Sequence, residues 1–280
     1  MNKQTEYNPQ RVGTGKNDQS DTITSVQNPR IKQLVLLTQK SSERRKCGVF
    51  VVEGAREVQH CFEAGYEIET LYYCPEILGE SALPNELAQQ HVVKVSSAVY
   101  DRVAYRGGTE GVIAVVKAQH RTLSDLSLSD SPLIVVLEAV EKPGNLGAIL
   151  RSADAAGADA VVVCDPLTDL YNPNLIRSSL GGIFSVPCVA CSSAECISFL
   201  KQRGIQILTA QLQDSHLYYD TDMRRGTAVV MGTESTGLTD VWRRAADAHI
   251  RIPMLGRLDS LNVSVSAAIL LYEAVRQREN

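Results

Sequence analysis

The sequence predicts an α/β fold in two parts, a C-terminal doubly wound domain with a parallel sheet and a smaller N-terminal α/β domain. Three observations predict it. From Leu133 to the end, short continuous apolar runs alternate with helix-patterned segments, as expected when both faces of a parallel sheet are covered. The same alternation occurs on a smaller scale over residues 22–117. Between them, residues 118–131 carry a Ser/Asp-rich run, from Leu123 to Ser131, that reads as a linker with at most one helical turn. A chain of 280 residues is long enough for two cores. Residues 1–21 are polar, with almost no large apolar side chains, and read as a disordered tail. The second domain then occupies residues 132–280.

Asn28 followed by Pro29 is an N-cap and first-turn pair, and Ile31, Leu34, Val35 and Leu37 give the helix it opens an apolar face. Arg30, Lys32, Lys40, Arg44, Arg45 and Lys46 fall on what reads as the same helical segment. Val49 to Val52 is a short apolar strand, and Arg56 to Ala64 is helical, with Gly65 placed to end it. Strands follow at Thr70 to Cys74, Val92 to Val95 and Val112 to Val116, with helical segments near Leu83 to Gln89 and Ser97 to Tyr105. In the second half the strands are Leu133 to Leu137, Ala160 to Val163, Val186 to Ala190, Ile205 to Thr209, Ala228 to Met231 and His249 to Ile252. Helices lie near Leu146 to Ala156, Pro173 to Leu180, Ala194 to Arg203, Leu238 to Ala246 and Leu261 to Arg278. Such sheets bind ligands beyond the carboxyl ends of their strands.

The net charge of −4 argues mildly against a nucleic-acid partner, since phosphate binding wants a basic surface. Local charge is a separate matter. The early basic cluster suits an RNA contact through Arg30, Lys32, Arg44 and Arg45, and on charge alone a solvated helix face explains it equally well. Seven cysteines in a chain of this size read as reduced, buried small hydrophobes. Cys188, Cys191 and Cys196 lie close together, but no histidine or second cysteine pair is near enough in sequence to complete a tetrahedral site. The segment reads as a strand end entering a helix, and no metal is expected. No apolar run approaches the roughly 18 residues of a membrane span, and the N-terminus has no signal-peptide core, so a cytoplasmic protein is expected.

Three segments break the apolar rhythm just after strands of the second half. The first, Glu138 to Ser152, opens a helix; Asn145 can cap it, Gly147 permits close backbone approach, and Arg151 follows, which in isolation reads more readily as a surface arginine. The second, Gly232-Thr-Glu-Ser-Thr-Gly-Leu238, can present backbone N–H groups to an anion, but lacks the Lys-Ser/Thr ending of a P-loop. The third, Ile252 to Ser266, concentrates Ser260, Asn262, Ser264 and Ser266 in an apolar stretch; a self-capping helix start explains Ser260 well and Asn262 less well.

Together, Asn145-Leu-Gly-Ala-Ile-Leu-Arg151, Gly232 to Leu238, and Ile252-Pro-Met through Ser260-Leu-Asn-Val-Ser264 resemble the three motifs of the SpoU (TrmH-like) branch of the SPOUT RNA methyltransferases. The N-terminal half is similar to that family's L30e-like RNA-binding accessory domain, on Val51 to Arg56 and Thr109 to Val115. The resemblance implies a C-terminal trefoil knot holding S-adenosylmethionine, contacted by Gly232, Ile252 and Leu261, with Thr209 and Met254 as further members of the donor site. It implies methylation of a ribose 2′-hydroxyl in RNA, ribosomal rather than transfer RNA. It also implies a homodimer packed through the knot region, with the catalytic arginine able to serve the partner's donor site, and no metal or membrane partner.

The same resemblance assigns catalysis to Arg151, with Asn145, Glu234, Ser260 and Asn262 around it. An arginine side chain keeps its proton in proteins, so Arg151 suits a fixed cation that stabilises a developing alkoxide and grips the neighbouring phosphate, rather than a base. Asn145 would position Arg151 or the ribose, and Glu234 would orient the arginine or its loop. Ser260 and Asn262 would complete the polar wall. Two other readings compete. A non-catalytic RNA-binding relative is opposed by the intact Asn145, Arg151, Glu234 and Asn262, and a Rossmann dehydrogenase by the lack of a Gly-x-Gly-x-x-Gly turn.

Overall fold

The computed structural model describes residues 22–79, 83–104, 110–233 and 236–279. The expected tail, residues 1–21, and Glu234 lie outside the described residues.

The first helix, α1 (Pro29–Gln39), opens on Asn28, whose side chain accepts from the Arg30 amide at 2.9 Å. Its apolar face buries Ile31, Leu34 and Leu37. The continuous helix expected through Lys46 does not form. The backbone becomes extended at Lys40 (φ −119°, ψ 114°), and a separate helix, α2 (Ser41–Cys47), ends on left-handed Gly48. This break turns Arg44 inward, away from the side of Arg30, Lys32 and Arg45, which are exposed.

There follow β1 (Val49–Glu53), α3 (Ala55–Glu63), β2 (Ile68–Tyr73), α4 (Pro75–Leu78), α5 (Asn85–Ala88), β3 (Val92–Lys94), α6 (Ser97–Val103) and β4 (Val112–Lys117). The strands form one sheet in the order β1-β4-β2-β3, with β4 antiparallel to both neighbours and β3 parallel to β2. The single turn α4 has no periodic pattern to announce it, and the helix read near Leu83 to Gln89 shrinks to the one turn of α5.

The connecting residues make one 3-10 turn, Leu123–Asp125, and are tied to the fold at both ends. The Tyr171 hydroxyl donates to the Gln119 carbonyl at 2.6 Å and accepts from its amide at 3.0 Å. The Asp159 carboxylate accepts from the amides of Ser129 and Leu133.

The second unit runs β5 (Leu133–Glu138), α7 (Pro143–Ala155), β6 (Ala160–Cys164), α8 (Pro173–Ser179), α9 (Gly182–Ser185), β7 (Cys188–Cys191), α10 (Ser193–Gln202), β8 (Gln206–Ala210), β9 (His216–Leu217), β10 (Thr227–Met231), α11 (Asp240–Ala245), β11 (Ala248–Arg251) and α12 (Val263–Glu279). Its seven strands are all parallel, in the order β7-β6-β5-β10-β8-β11-β9. Every residue of β5, β6 and β10 is buried, because helices cover both faces, and this accounts for their unbroken apolar runs. The pair His216–Leu217 is too short and polar to read as a strand and joins the sheet only by pairing with β11. Helices α7 and α8 meet closely at Gly147, where a Cβ would lie 2.0 Å from Ser178 Oγ.

One apolar core runs through both units. It joins Phe50, Val58 and Tyr66 of the first to Leu150, Phe184 and Leu270 of the second. The Phe50 ring stacks on Tyr171 with centroids 4.1 Å apart and planes 14° apart. Beside this stack Arg44, only 4% exposed, pairs with Asp169 at 2.7 Å and donates to the Leu37 carbonyl at 2.7 Å. The expectation of an RNA contact at Arg44 is therefore corrected: a guanidinium so enclosed is consumed in joining the two units. Among the described residues no helix is long and apolar enough to cross a membrane.

Removing one partner of a buried ion pair leaves the other charge uncompensated, at a cost of about 3–5 kcal/mol. Arg44→Ala is expected to lower the unfolding free energy by about 3 kcal/mol, read by urea denaturation. Asp169→Ala should cost a similar amount, and the double variant should cost clearly less than the two added together.

Candidate active site

The parallel register sets the site. Thr209 pairs with Val230 on one side and with His249 on the other, so β8, β10 and β11 end at one level. Residues at these strand ends and in the loops after them, 210–213, 231–233, 236–238, 250–252, 254 and 259–261, meet around a cavity of about 390 Å³. The floor is apolar, with Met231, Leu238, Ile250, Ile252 and Val263, and Arg243, Arg251 and Asp259 stand at its edge.

Gly232 has a structural reason. A Cβ there would lie 2.3 Å from the Gly237 carbonyl atoms, because the loop folds back on itself through the Gly237 amide bonded to the Thr233 carbonyl at 3.0 Å. Gly232, Ile252, Met254, Ser260 and Leu261 all line the cavity. Thr209 does not. It is fully buried one residue short of the loop, with Oγ1 2.5 Å from His249 Nδ1, and Ala210 takes the lining position. Thr209 is therefore removed from the donor-site set.

Asn145 and Asn262 meet each other: Asn262 Nδ2 donates to Asn145 Oδ1 at 3.2 Å. Neither is placed as the sequence suggests. The helix α7 begins at Pro143 with Lys142 as N-cap, so Asn145 sits inside the first turn. Asn262 is the residue that caps α12, its Oδ1 accepting from the Ser264 amide at 3.0 Å and hydroxyl at 2.6 Å. The capping role assigned to Ser260 belongs to Asn262, because α12 starts later than the sequence pattern indicates.

Arg151 is exposed on α7 and lines a different hollow, a groove between α3 and the α7–α9 region that also carries Arg56, His60, Glu63, Asp154 and Ser185. The structure thus joins Asn145 to Asn262, gathers the loop residues about the cavity, and leaves Arg151 outside that cavity's lining within one protomer. Arg56 and His60 beside Arg151 were not singled out by sequence; the exposed Arg56 ends the Val51 to Arg56 segment, and that position was the available signal.

Glu138 was also missed by sequence. It closes the wholly buried strand β5 and is 4% exposed. Its carboxylate accepts from the Thr239 amide at 2.8 Å and the Thr239 hydroxyl at 2.6 Å. Thr239 is the N-cap of α11, so Glu138 fixes the far end of the loop that begins at Gly232. An acidic residue ending an apolar strand was the signal, since a buried carboxylate needs partners.

Residues 132–272 match the SpoU rRNA Methylase family, and residues 28–114 match the MRM3-like substrate binding domain. The chain belongs to the SpoU rRNA methylase family. A relative in Streptomyces viridochromogenes, the 23S rRNA (uridine(2479)-2'-O)-methyltransferase, is 32% identical over 266 residues, 91% of this chain and 92% of the relative. The crystal structure of an RNA 2'-O ribose methyltransferase superposes with a TM-score of 0.82 at 41% identity, over 93% of this chain and 100% of that one. The SpoU methyltransferase AviRb from Streptomyces viridochromogenes, in complex with AdoMet, superposes with a TM-score of 0.83 at 29% identity, over 90% of this chain and 99% of that one. The SpoU family's parallel-sheet architecture, with a substrate-binding unit before it, is thus the architecture of this chain.

The cap on α12 is testable. Asn262→Ala is expected to lower stability by about 1 kcal/mol in chemical denaturation. Asn262→Asp keeps the acceptor and should retain most of that stability while losing the donor to Asn145.

Proposed function

We propose that this protein methylates a ribose 2′-hydroxyl in 23S ribosomal RNA, with S-adenosylmethionine as donor. The observation that carries this reading is the cavity where the loops after β8, β10 and β11 converge. Its volume, about 390 Å³, falls in the range of roughly 300–1,000 Å³ common to cofactor sites. Its donor set also fits. Apolar Ile252 and Leu261 suit the faces of a flat base, and the turns at Gly232 and Met254 offer backbone groups to a base edge and a carboxylate. Bound there, S-adenosylmethionine supplies an electrophilic methyl group on a sulfonium.

The chain's own residues then have two tasks. The first is alignment, which can contribute roughly 7–11 kcal/mol when two reactants are held in line. The segment after Gly232, whose far end at Thr239 is held by Glu138, and the 252–261 loop serve this task, with Ser260 at the cavity wall. The second is charge. Arg151, a fixed guanidinium, stabilises the oxygen that is losing its proton and grips the adjoining phosphate, with the proton passing to a phosphate oxygen or water. The groove shared by Arg56, His60 and Arg151 offers the RNA backbone a path between the two units, and exposed Arg30, Lys32 and Arg45 add positive charge. Asn145, bonded to Asn262, links the start of the arginine's helix to the start of α12. Glu234 belongs to the same loop as Gly232, and its assigned role is to orient the arginine or that loop.

Arg151 lies outside the lining of its own protomer's cavity, and this favours a homodimer in which the arginine of one chain faces the cavity of the other. Exposed apolar residues support the same face. Leu255, Leu258 and Leu261 in the loop, and Val265 and Tyr272 on α12, are all more than a third exposed. The knotted passage of the C-terminal segment is part of this reading, supported by three loops converging on one cavity, and a cytoplasmic location follows from a ribosomal substrate.

Incubation with unmodified 23S rRNA and labelled donor should place the label on a ribose 2′-oxygen. Label on a base sinks the reading. Arg151→Lys is expected to slow single-turnover methylation by about 100-fold while calorimetric donor binding stays near that of the parent. For the dimer, Arg151→Ala and Gly232→Val should each be inactive, and mixing the two chains should restore part of the activity through hybrid dimers. A mixture as inactive as its components means each chain works alone.

A further inference from the structure

Cysteine spacing alone gave no fourth-ligand geometry near Cys191 and Cys196, but strand pairing supplies a third sulfur. Cys164, at the end of β6, is the direct cross-strand neighbour of Cys191, at the end of β7. Neighbouring residues in parallel strands point to the same face, here the face covered by α10 and α11. Cys196, in the first turns of α10, comes down on that face, and the three Sγ atoms lie within 4.8 Å of one another. Cys188, one strand face away, belongs to the opposite core.

Several features make this more than three small hydrophobes in a core. Two of the three side chains, Cys164 and Cys196, are fully buried, so the cluster is screened from bulk water on its inner side. Cys191 is half-buried, which leaves an entry path from solvent. An α-helix of ten residues, capped by Ser192, directs its positive end at the group, which favours thiolate. The nearby Asp165 carboxylate is already taken by the Ser193 amide and hydroxyl, at 3.2 and 2.6 Å, so it is not a ready hard ligand.

We propose that Cys164, Cys191 and Cys196 form a three-sulfur site for a soft, thiophilic metal ion, apart from the methyl-transfer cavity. An ion bonded to thiolate at about 2.3 Å in trigonal geometry needs sulfurs about 4 Å apart, which the observed spacing reaches with small side-chain adjustment. Three thiolates without an oxygen ligand select soft ions over magnesium or calcium. Binding displaces the thiol protons to solvent and ties β6, β7 and α10 together.

The test uses the full chain, reduced and kept anaerobic, with Cys47→Ser to remove the exposed thiol, and cadmium(II) as probe. The expected result is one cadmium per chain, with ultraviolet thiolate-to-cadmium absorption of three bonds that magnesium neither produces nor displaces. Cys191→Ser should weaken binding by more than about 100-fold, beyond the loss of an outer-shell partner, and Cys188→Ser should leave it unchanged. Because Cys196→Ser alters a buried position and can fail to fold, X-ray absorption on the cadmium-loaded Cys47→Ser chain supplies an independent count, expected to be three sulfurs. Binding equally tight in Cys191→Ser, a count of two sulfurs or fewer, or a Cys191–Cys196 disulfide in the anaerobic protein overturns the proposal.

Discussion

The backbone ladder that pairs β8 with β10 on one side and β11 on the other governs this molecule. Parallel hydrogen bonding fixes where each strand ends relative to its neighbours, and three chain segments far apart in sequence are thereby released at the same level. Their loops have no other place to go than around a common hollow. The side chains on the two faces pack into separate cores, Val229 into one and Val230 into the other, and this packing holds the sheet between its helices.

A second level of order acts on the loops themselves. Glu138 reaches from the end of β5 to the cap of α11, and Asn262 joins the cap of α12 to the first turn of α7. The first of these polar contacts links a strand to a helix, and the second links two helices. The carboxylate of Glu138 is buried at a modest net cost because both of its oxygens accept hydrogen bonds.

The two units are coupled rather than strung together. The stack of Phe50 on Tyr171, the hold of Tyr171 on Gln119, and the Arg44–Asp169 pair fix the first sheet against α8 and α9. The groove that contains Arg56, His60 and Arg151 exists only because of this docking. In the proposed function, that rigidity matters, since an RNA held by one unit must present a single ribose to the other.

Local chemistry in the sequence was enough for most of the elements. Asn28 and Pro29 start α1, and apolar runs mark β5, β6 and β10, because capping and strand burial act over a few residues. The three polar turns that line or adjoin the cavity were legible for the same reason, each following an apolar run. Long-range contacts were not legible. Arg44 read as a surface cation until a helix break at Lys40 turned it towards Asp169, 125 residues away. Thr209 read as a cavity residue until pairing placed His249 against it, and Cys164 joined Cys191 only through the strand register. The sequence by itself determined the α/β class, the order of the main strands and helices and the polar turns, because those are set by neighbours along the chain. Only the tertiary structure decided which polar side chains are consumed in packing and which remain to face a ligand, because that depends on partners brought together by burial and pairing across the fold.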